Sequence, residues 1–203
     1  MAYIANTAFE IKISNHEFDS IANITGKYQS SSADAVICPG FLATRASLIP
    51  NEGYYQVGPG GSTVTLNNTN TWIMNDAVDT DTAQKGIYAC NPFDVNMVSD
   101  GQGNFYKVGA NTLSIQVPAG HLTTWTKIEF NNNNVYRFGV GNLSTTLSTN
   151  TYFTIDDGLL VPGASAPATA GVPYFELVQT GTFTEGPYAA FGFVDVRACI
   201  SEA

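Results

Sequence analysis

Polar and apolar residues alternate in short runs along most of this chain. The clearest are Lys127-Ile128-Glu129-Phe130 and Val135-Tyr136-Arg137-Phe138. A period of two sends successive side chains to opposite faces, so each run predicts a half-buried strand. Four asparagines, Asn131 to Asn134, lie between them. Asparagine accepts the left-handed backbone of a tight turn, and the pattern predicts a β-hairpin over Lys127–Val140. Phe9, Ile11 and Ile13 alternate with Glu10, Lys12 and Ser14 as a first strand. Near the other end Phe191, Phe193, Asp195 and Arg197 alternate with Gly192, Val194, Val196 and Ala198. An acid and a base on the aromatic side predict a face only partly buried. The apolar runs Ala35–Cys38 and Ile87–Cys90 end at Pro39-Gly40 and Asn91-Pro92, which are turn signals. Further strands are expected at Thr63–Leu66, Thr71–Met74, Thr112–Val117, Thr151–Ile155 and Val172–Thr184. Leu159–Gly171, proline-rich and built of small residues, reads as a loop draped over a surface. His16–Gly26 offers a short helical turn, and no longer stretch shows one clean apolar helical face.

These elements predict an all-β fold, an antiparallel β-sandwich or barrel. Gly58-Pro59-Gly60-Gly61-Ser62 is the strongest local break. It suggests an N-terminal arm or small subdomain over 1–57 and a main β domain over 58–203. The chain has 203 residues, of which 44% are hydrophobic, enough for a sizeable core. Only 12% are charged; threonine and asparagine do the solvating work, as suits short strands joined by polar turns.

The formal net charge is −9, and the eight basic residues are scattered. A phosphate backbone or an anionic membrane needs a concentrated positive face, so neither nucleic acid nor membrane is an expected partner. The opening, MAYIANTAFEIKIS, lacks a basic start followed by an apolar run. That predicts synthesis in the cytoplasm without a signal peptide. Cys38, Cys90 and Cys199 are odd in number and far apart, which suits buried small hydrophobes better than a disulfide set or a zinc site.

Catalytic motifs are incomplete. His16-Glu17 opens like a zinc-protease helix, but Ser20 stands where the second histidine would be. His121 follows a turn and is expected to be exposed. No G-x-S-x-G elbow is present. Glu129, Glu176, Asp94 and Asp195 lie on expected strands and could supply a carboxylate pair, although solvent-facing strand positions account for them. Asp76, Asp79 and Asp81, or Asp156 with Asp157, could offer oxygens to calcium, without the spacing of an EF-hand. The glycine cluster at 58–61 lacks the lysine of a phosphate loop. Trp72, Trp125, Tyr54, Tyr55 and Tyr136 could stack on sugars, or serve as core. No cofactor is expected. Tyr3, Ile4 and Phe9, large apolar residues near a terminus, and Leu159, Leu160 and Val161 are the candidate partner-binding residues, through strand edges that could extend another sheet.

Three stretches carry a family likeness: FDSIANITGKYQSSSADAVICPGFLATR (Phe18–Arg45), YFTIDDGLLVPG (Tyr152–Gly163) and YFELVQTGTFTEG (Tyr174–Gly186). Set in a low-charge β chain rich in Thr, Asn and Gly, they resemble virion structural proteins of tailed phages, in particular head-decoration proteins. The resemblance implies a protein without a reaction. It would bind the major capsid protein on the outer shell, self-associate, as a trimer for instance, and brace the capsid. Its place would be the virion. The chain is longer than the smallest decoration proteins, which leaves room for a second lobe or for a tail or fibre role. A carbohydrate-binding β-sandwich of a fibre or cell surface is the alternative.

Overall fold

A computed structural model describes residues 7–13, 23–49, 55–57, 63–65, 71–78, 86–92, 97–99, 105–107, 116–183 and 191–202. The strands, in chain order, are β1 (Phe9–Ile13), β2 (Asn23–Ser30), β3 (Ala33–Asp34), β4 (Leu42–Leu48), β5 (Tyr55–Val57), β6 (Thr63–Thr65), β7 (Thr71–Asp76) and β8 (Ile87–Cys90). They continue as β9 (Met97–Ser99), β10 (Phe105–Lys107), β11 (Thr123–Lys127), β12 (Val135–Gly139), β13 (Tyr152–Asp156), β14 (Leu159–Gly163), β15 (Pro173–Phe183) and β16 (Phe191–Ile200). Among the described residues a 3-10 turn, Val140–Asn142, is the one helical element. The fold is all-β, as the alternation predicts.

Five strands close a small barrel in the order β11-β8-β4-β7-β2, and β2 returns to pair with β11. The β2–β7 pairing is parallel and the others antiparallel. Inward-facing side chains fill it: Ile24, Tyr28, Phe41, Ala43, Met74, Tyr88, Cys90 and Trp125. Trp125 is 0% exposed and donates its indole N–H to the Gly26 carbonyl at 3.1 Å. That bond joins β11 to β2 where the barrel shuts. A side chain at Gly26 would strike Met74 at 2.8 Å, so only glycine lets the methionine cross the interior there.

The remaining large sheet has the order β1-β12-β16-β15-β13-β14, antiparallel throughout. Its inner face packs on the outside of the barrel. Tyr136, Phe138, Phe153, Ile155, Leu160, Phe175, Val194 and Val196 meet Leu42, Ile87, Ala89 and Ile128. β8 therefore has Tyr88 and Cys90 inside the barrel and Ile87 and Ala89 against the sheet. A strand buried on both faces reads as an unbroken apolar run rather than an alternation, which accounts for Ile87-Tyr88-Ala89-Cys90.

The hairpin expected over Lys127–Val140 does not form. β11 belongs to the barrel and β12 to the sheet, where β12 pairs with β1 and β16. The asparagines do turn the chain, with Asn131 and Asn133 in the left-handed region at φ 58° and 55°. The turn carries the chain from one layer to the other, however, because Ile128 is held to Ile87 and buried between them. Alternation specifies which side of a strand is apolar, and says nothing of which neighbour it pairs with.

Leu159–Gly163, expected as loop, is strand β14, paired with β13 around Asp157-Gly158. That tight turn docks on the barrel. Leu42 N–H donates to Gly158 O, Gly158 N–H to Ala77 O and Ala77 N–H to Leu42 O, at 2.8, 3.0 and 3.1 Å. A second tie is Asn142, buried, which accepts from Ala8 N–H at 3.0 Å and donates to Pro39 O at 2.9 Å. The glycine break at 58–62 lies outside the described residues. The strands on either side of it, β5 and β6, pair with each other, as do β4 and β7 beyond them, and β1 and β2 pair with β12, β7 and β11.

Candidate interaction surface

On the outer face of the sheet, β12, β15 and β16 bring one charged cluster together. Arg137 grips Asp195 with two parallel bonds, Nε to Oδ1 at 2.7 Å and Nη2 to Oδ2 at 2.8 Å. Gln179 Nε2 adds a third at 2.7 Å. A buried carboxylate needs such saturation, since its desolvation is otherwise uncompensated. The Arg137 guanidinium also stacks 3.6 Å above the Phe193 ring. That ring takes the space a side chain at Gly181 would need, 2.5 Å from the position of its Cβ. The alternation of β16 is as the sequence predicts, but Asp195 is 1% exposed because Arg137 and Gln179 bind over it.

Further along that face the polar groups reach the surface. Tyr152 and Tyr174 lie with ring centroids 6.1 Å apart. Arg197 Nη1 stands 3.9 Å from Glu176, both about two-fifths exposed. A hollow of about 350 Å³ adjoins them, lined by residues that include Pro167, Tyr174, Cys199, Ser201 and Asn131. A second, of about 390 Å³, lies across Ile200 and Asn131, toward Lys127 and Glu129. Asn131 Oδ1 accepts from Ile200 N–H at 2.9 Å and so divides the two. Burial, with Glu176 nearby, raises the Cys199 thiol above its ordinary range, so it is a poor nucleophile. The Glu129 carboxylate is held by Asn132 and Asn134 at 2.9 and 3.1 Å. These hollows can accept a side chain or a short segment, and their lining mixes aromatic, amide and hydroxyl groups with Glu202 in the first and Lys127 and Glu129 in the second.

Only some of the expected site residues fall among the described ones. Tyr3 and Ile4 lie outside the described residues, as do His16, Glu17, Tyr54, Asp79, Asp81 and Asp94. Phe9 packs on Tyr136 and Phe138, with ring centroids at 6.1 and 5.3 Å. Leu160 is 0% exposed within the core, and Leu159 packs toward the barrel interior. Leu160 is spent in the core, while Phe9, Leu159 and Val161 are half-buried. Nor is β14 open to sheet extension there. Leu160 O already accepts from Ser144 N–H at 2.9 Å. Pro162, two residues on and facing the same way, has no N–H to give, a common means of blunting an edge.

Of the aromatic residues proposed for stacking, Trp125 and Tyr136 are core. The Tyr152–Tyr174 pair escaped the sequence reading because its two members are remote and join only through the β13–β15 register. His121 is exposed in its turn, and Cys38 and Cys90 are buried and not disulfide-bonded. Among the described residues no three His, Cys, Asp or Glu gather as metal ligands. Comparison with protein-family models, curated proteins and solved structures found no match to this chain.

Proposed function

We propose that this chain is a non-enzymatic structural protein of a phage virion that binds the outer capsid surface and stabilises the shell. The observation that carries this reading is the use made of its charged groups. Asp195 is saturated by Arg137 and Gln179, Glu129 by two asparagines, and Asp34 by Lys27 and Gln29. Carboxylates so engaged serve rigidity, and a stiff two-layer β body is what bracing a shell requires. The family likeness of Phe18–Arg45, Tyr152–Gly163 and Tyr174–Gly186 supports the same reading. The test is co-sedimentation of the purified chain with empty capsids assembled from a major capsid protein of the same virion. Saturable binding and a raised capsid melting temperature are expected; no binding at micromolar chain would overturn the proposal.

The carbohydrate-binding alternative draws on the Tyr152–Tyr174 pair beside its hollow. Tyr174→Ala would abolish glycan binding on that reading and leave capsid binding intact on the first.

A further inference from the structure

Among the described residues, one end of the barrel is closed by its own side chains and turns, and the other carries charge. Strand register places the end of β4, the start of β7, the start of β8 and the end of β11 at this second mouth. Arg45 sits opposite Met74, Leu48 opposite Trp72, and Lys127 opposite Tyr88. The Arg45 guanidinium stacks over Trp72 at 4.9 Å and Tyr88 at 5.5 Å. Two rings thus hold an exposed cation in one place. Among the described residues neither Arg45 nor Lys127 has a carboxylate partner, whereas Lys27, Arg137 and Arg197 each face one.

An arginine held over two rings has part of its rotamer freedom already restricted, and among the described residues its planar fork of donors meets no carboxylate. We propose that this mouth is a carboxylate-binding site that receives an acidic side chain of a protein partner, with Arg45 as the fork and Lys127 as a second positive charge. This deepens the structural-protein reading and rests on it. Two observations favour a protein partner. Leu48, 40% exposed, stands beside Trp72 and Arg45, and arginine and tryptophan with an apolar neighbour is the composition of an interface anchor. A long polyanion would meet the rest of a chain of net charge −9, while a single acidic side chain meets only the mouth.

The chain has two tryptophans, and Trp125 is buried, so Trp72 reports on the mouth and Trp125 on the fold. The experiment titrates the ¹⁵N-labelled full chain with a blocked peptide, Gly-Glu-Leu-Glu-Gly, and with its neutral counterpart, Gly-Gln-Leu-Gln-Gly. Expected is a saturable shift of the Trp72 indole signal with the acidic peptide alone. Arg45→Met should weaken it at least tenfold, Arg45→Lys and Lys127→Met severalfold, all with an unmoved Trp125 signal. No Trp72 shift, an equal shift with the neutral peptide, or undiminished affinity in Arg45→Met would overturn the proposal. An equal response to inorganic phosphate, or binding of oligogalacturonate in place of the peptide, would overturn it in favour of a generic anion or an acidic glycan. Capsid co-sedimentation separates the two readings. Loss of capsid binding in a folded Arg45→Met chain supports the mouth as the docking site. Full retention removes that role and leaves the structural reading standing.

Discussion

The two ends of the barrel are built from the same five strands and finished differently. At the closed end Phe41 lies across the opening against Tyr28, ring centroids 5.2 Å apart. Ile37 bridges to Val117, Tyr28 donates its hydroxyl to Asp76, and the turn at Gly158 is bonded to Leu42 and Ala77. The named polar groups there are satisfied from within. At the other end Arg45 and Lys127 face outward with no acid among the described residues to meet them. The lesson is a division of labour. One end is sealed for stability, since buried polar groups left unmatched are costly; the other keeps charge in reserve, where an exposed cation costs little.

If that division is right, substitutions at the closed end should be severe and those at the open end mild. The largest effect is expected from Gly158→Ala. Gly158 has φ +72°, and an added Cβ would fall 2.2 Å from the Phe41 ring and 2.7 Å from Leu42 O. Left-handed strain and overpacking together should cost about 4 kcal/mol. Urea denaturation would measure it, and a loss under about 1 kcal/mol would show that the turn does not close the barrel.

Next come the ties between the layers. Asp195→Ala removes the carboxylate that Arg137 and Gln179 share and should cost about 3 kcal/mol, since the guanidinium is only partly exposed. The double change Arg137→Met with Asp195→Leu should recover most of that loss in the same assay. Asn142→Ala frees the Ala8 N–H and the Pro39 carbonyl, both at buried residues, and should cost about 2 kcal/mol.

How much of this could be read beforehand depends on what each feature needs. The faces of β1, β12 and β16 were legible, because a period of two is a local property of the sequence, whereas the first alternating run, Lys127–Phe130, begins only where β11 ends. The left-handed asparagines were legible for the same reason. The separation of β11 from β12 was not. It depends on Ile87, far upstream of the turn, holding Ile128 between layers, and pairing partners are non-local. β14 was missed because Pro162 and Gly163 suggest a loop, and an edge strand tolerates both. The cation at the mouth was invisible. Nothing near Arg45 in the sequence announces that Trp72 and Tyr88 will flank it.

A pH titration sharpens the contrast by a smaller margin. Burial, reinforced by the bond to Asp76, raises the Tyr28 hydroxyl well above its ordinary value of 10.0. Burial raises Tyr136 in the same direction. In the unfolded chain both phenols ionise near their ordinary value, while in the folded chain they keep their protons. The stability they contribute is therefore fully present below about pH 10 and declines as pH rises beyond it. Tyr28→Phe should lessen that decline, leaving the part due to Tyr136 and to Cys90, Tyr174 and Cys199, which burial also raises, at a cost of about 1 kcal/mol near neutrality for the lost hydrogen bond. An unchanged alkaline slope would mean that the closed end already admits water.

The smallest effect on stability belongs to Arg45→Met, and it tests the comparison most directly. Removing the guanidinium forfeits two stacking contacts at an exposed site, worth about 0.5–1 kcal/mol at most. Methionine keeps apolar contact with the rings and restores part of that. The net change should be no more than about 0.5 kcal/mol, as for ordinary surface substitutions. Chemical denaturation and peptide titration of the same variant should then diverge, with near-normal stability beside lost acidic-peptide binding. A destabilisation comparable to that of Asn142→Ala would instead make Arg45 a plug for the barrel, and both ends would be sealed after all.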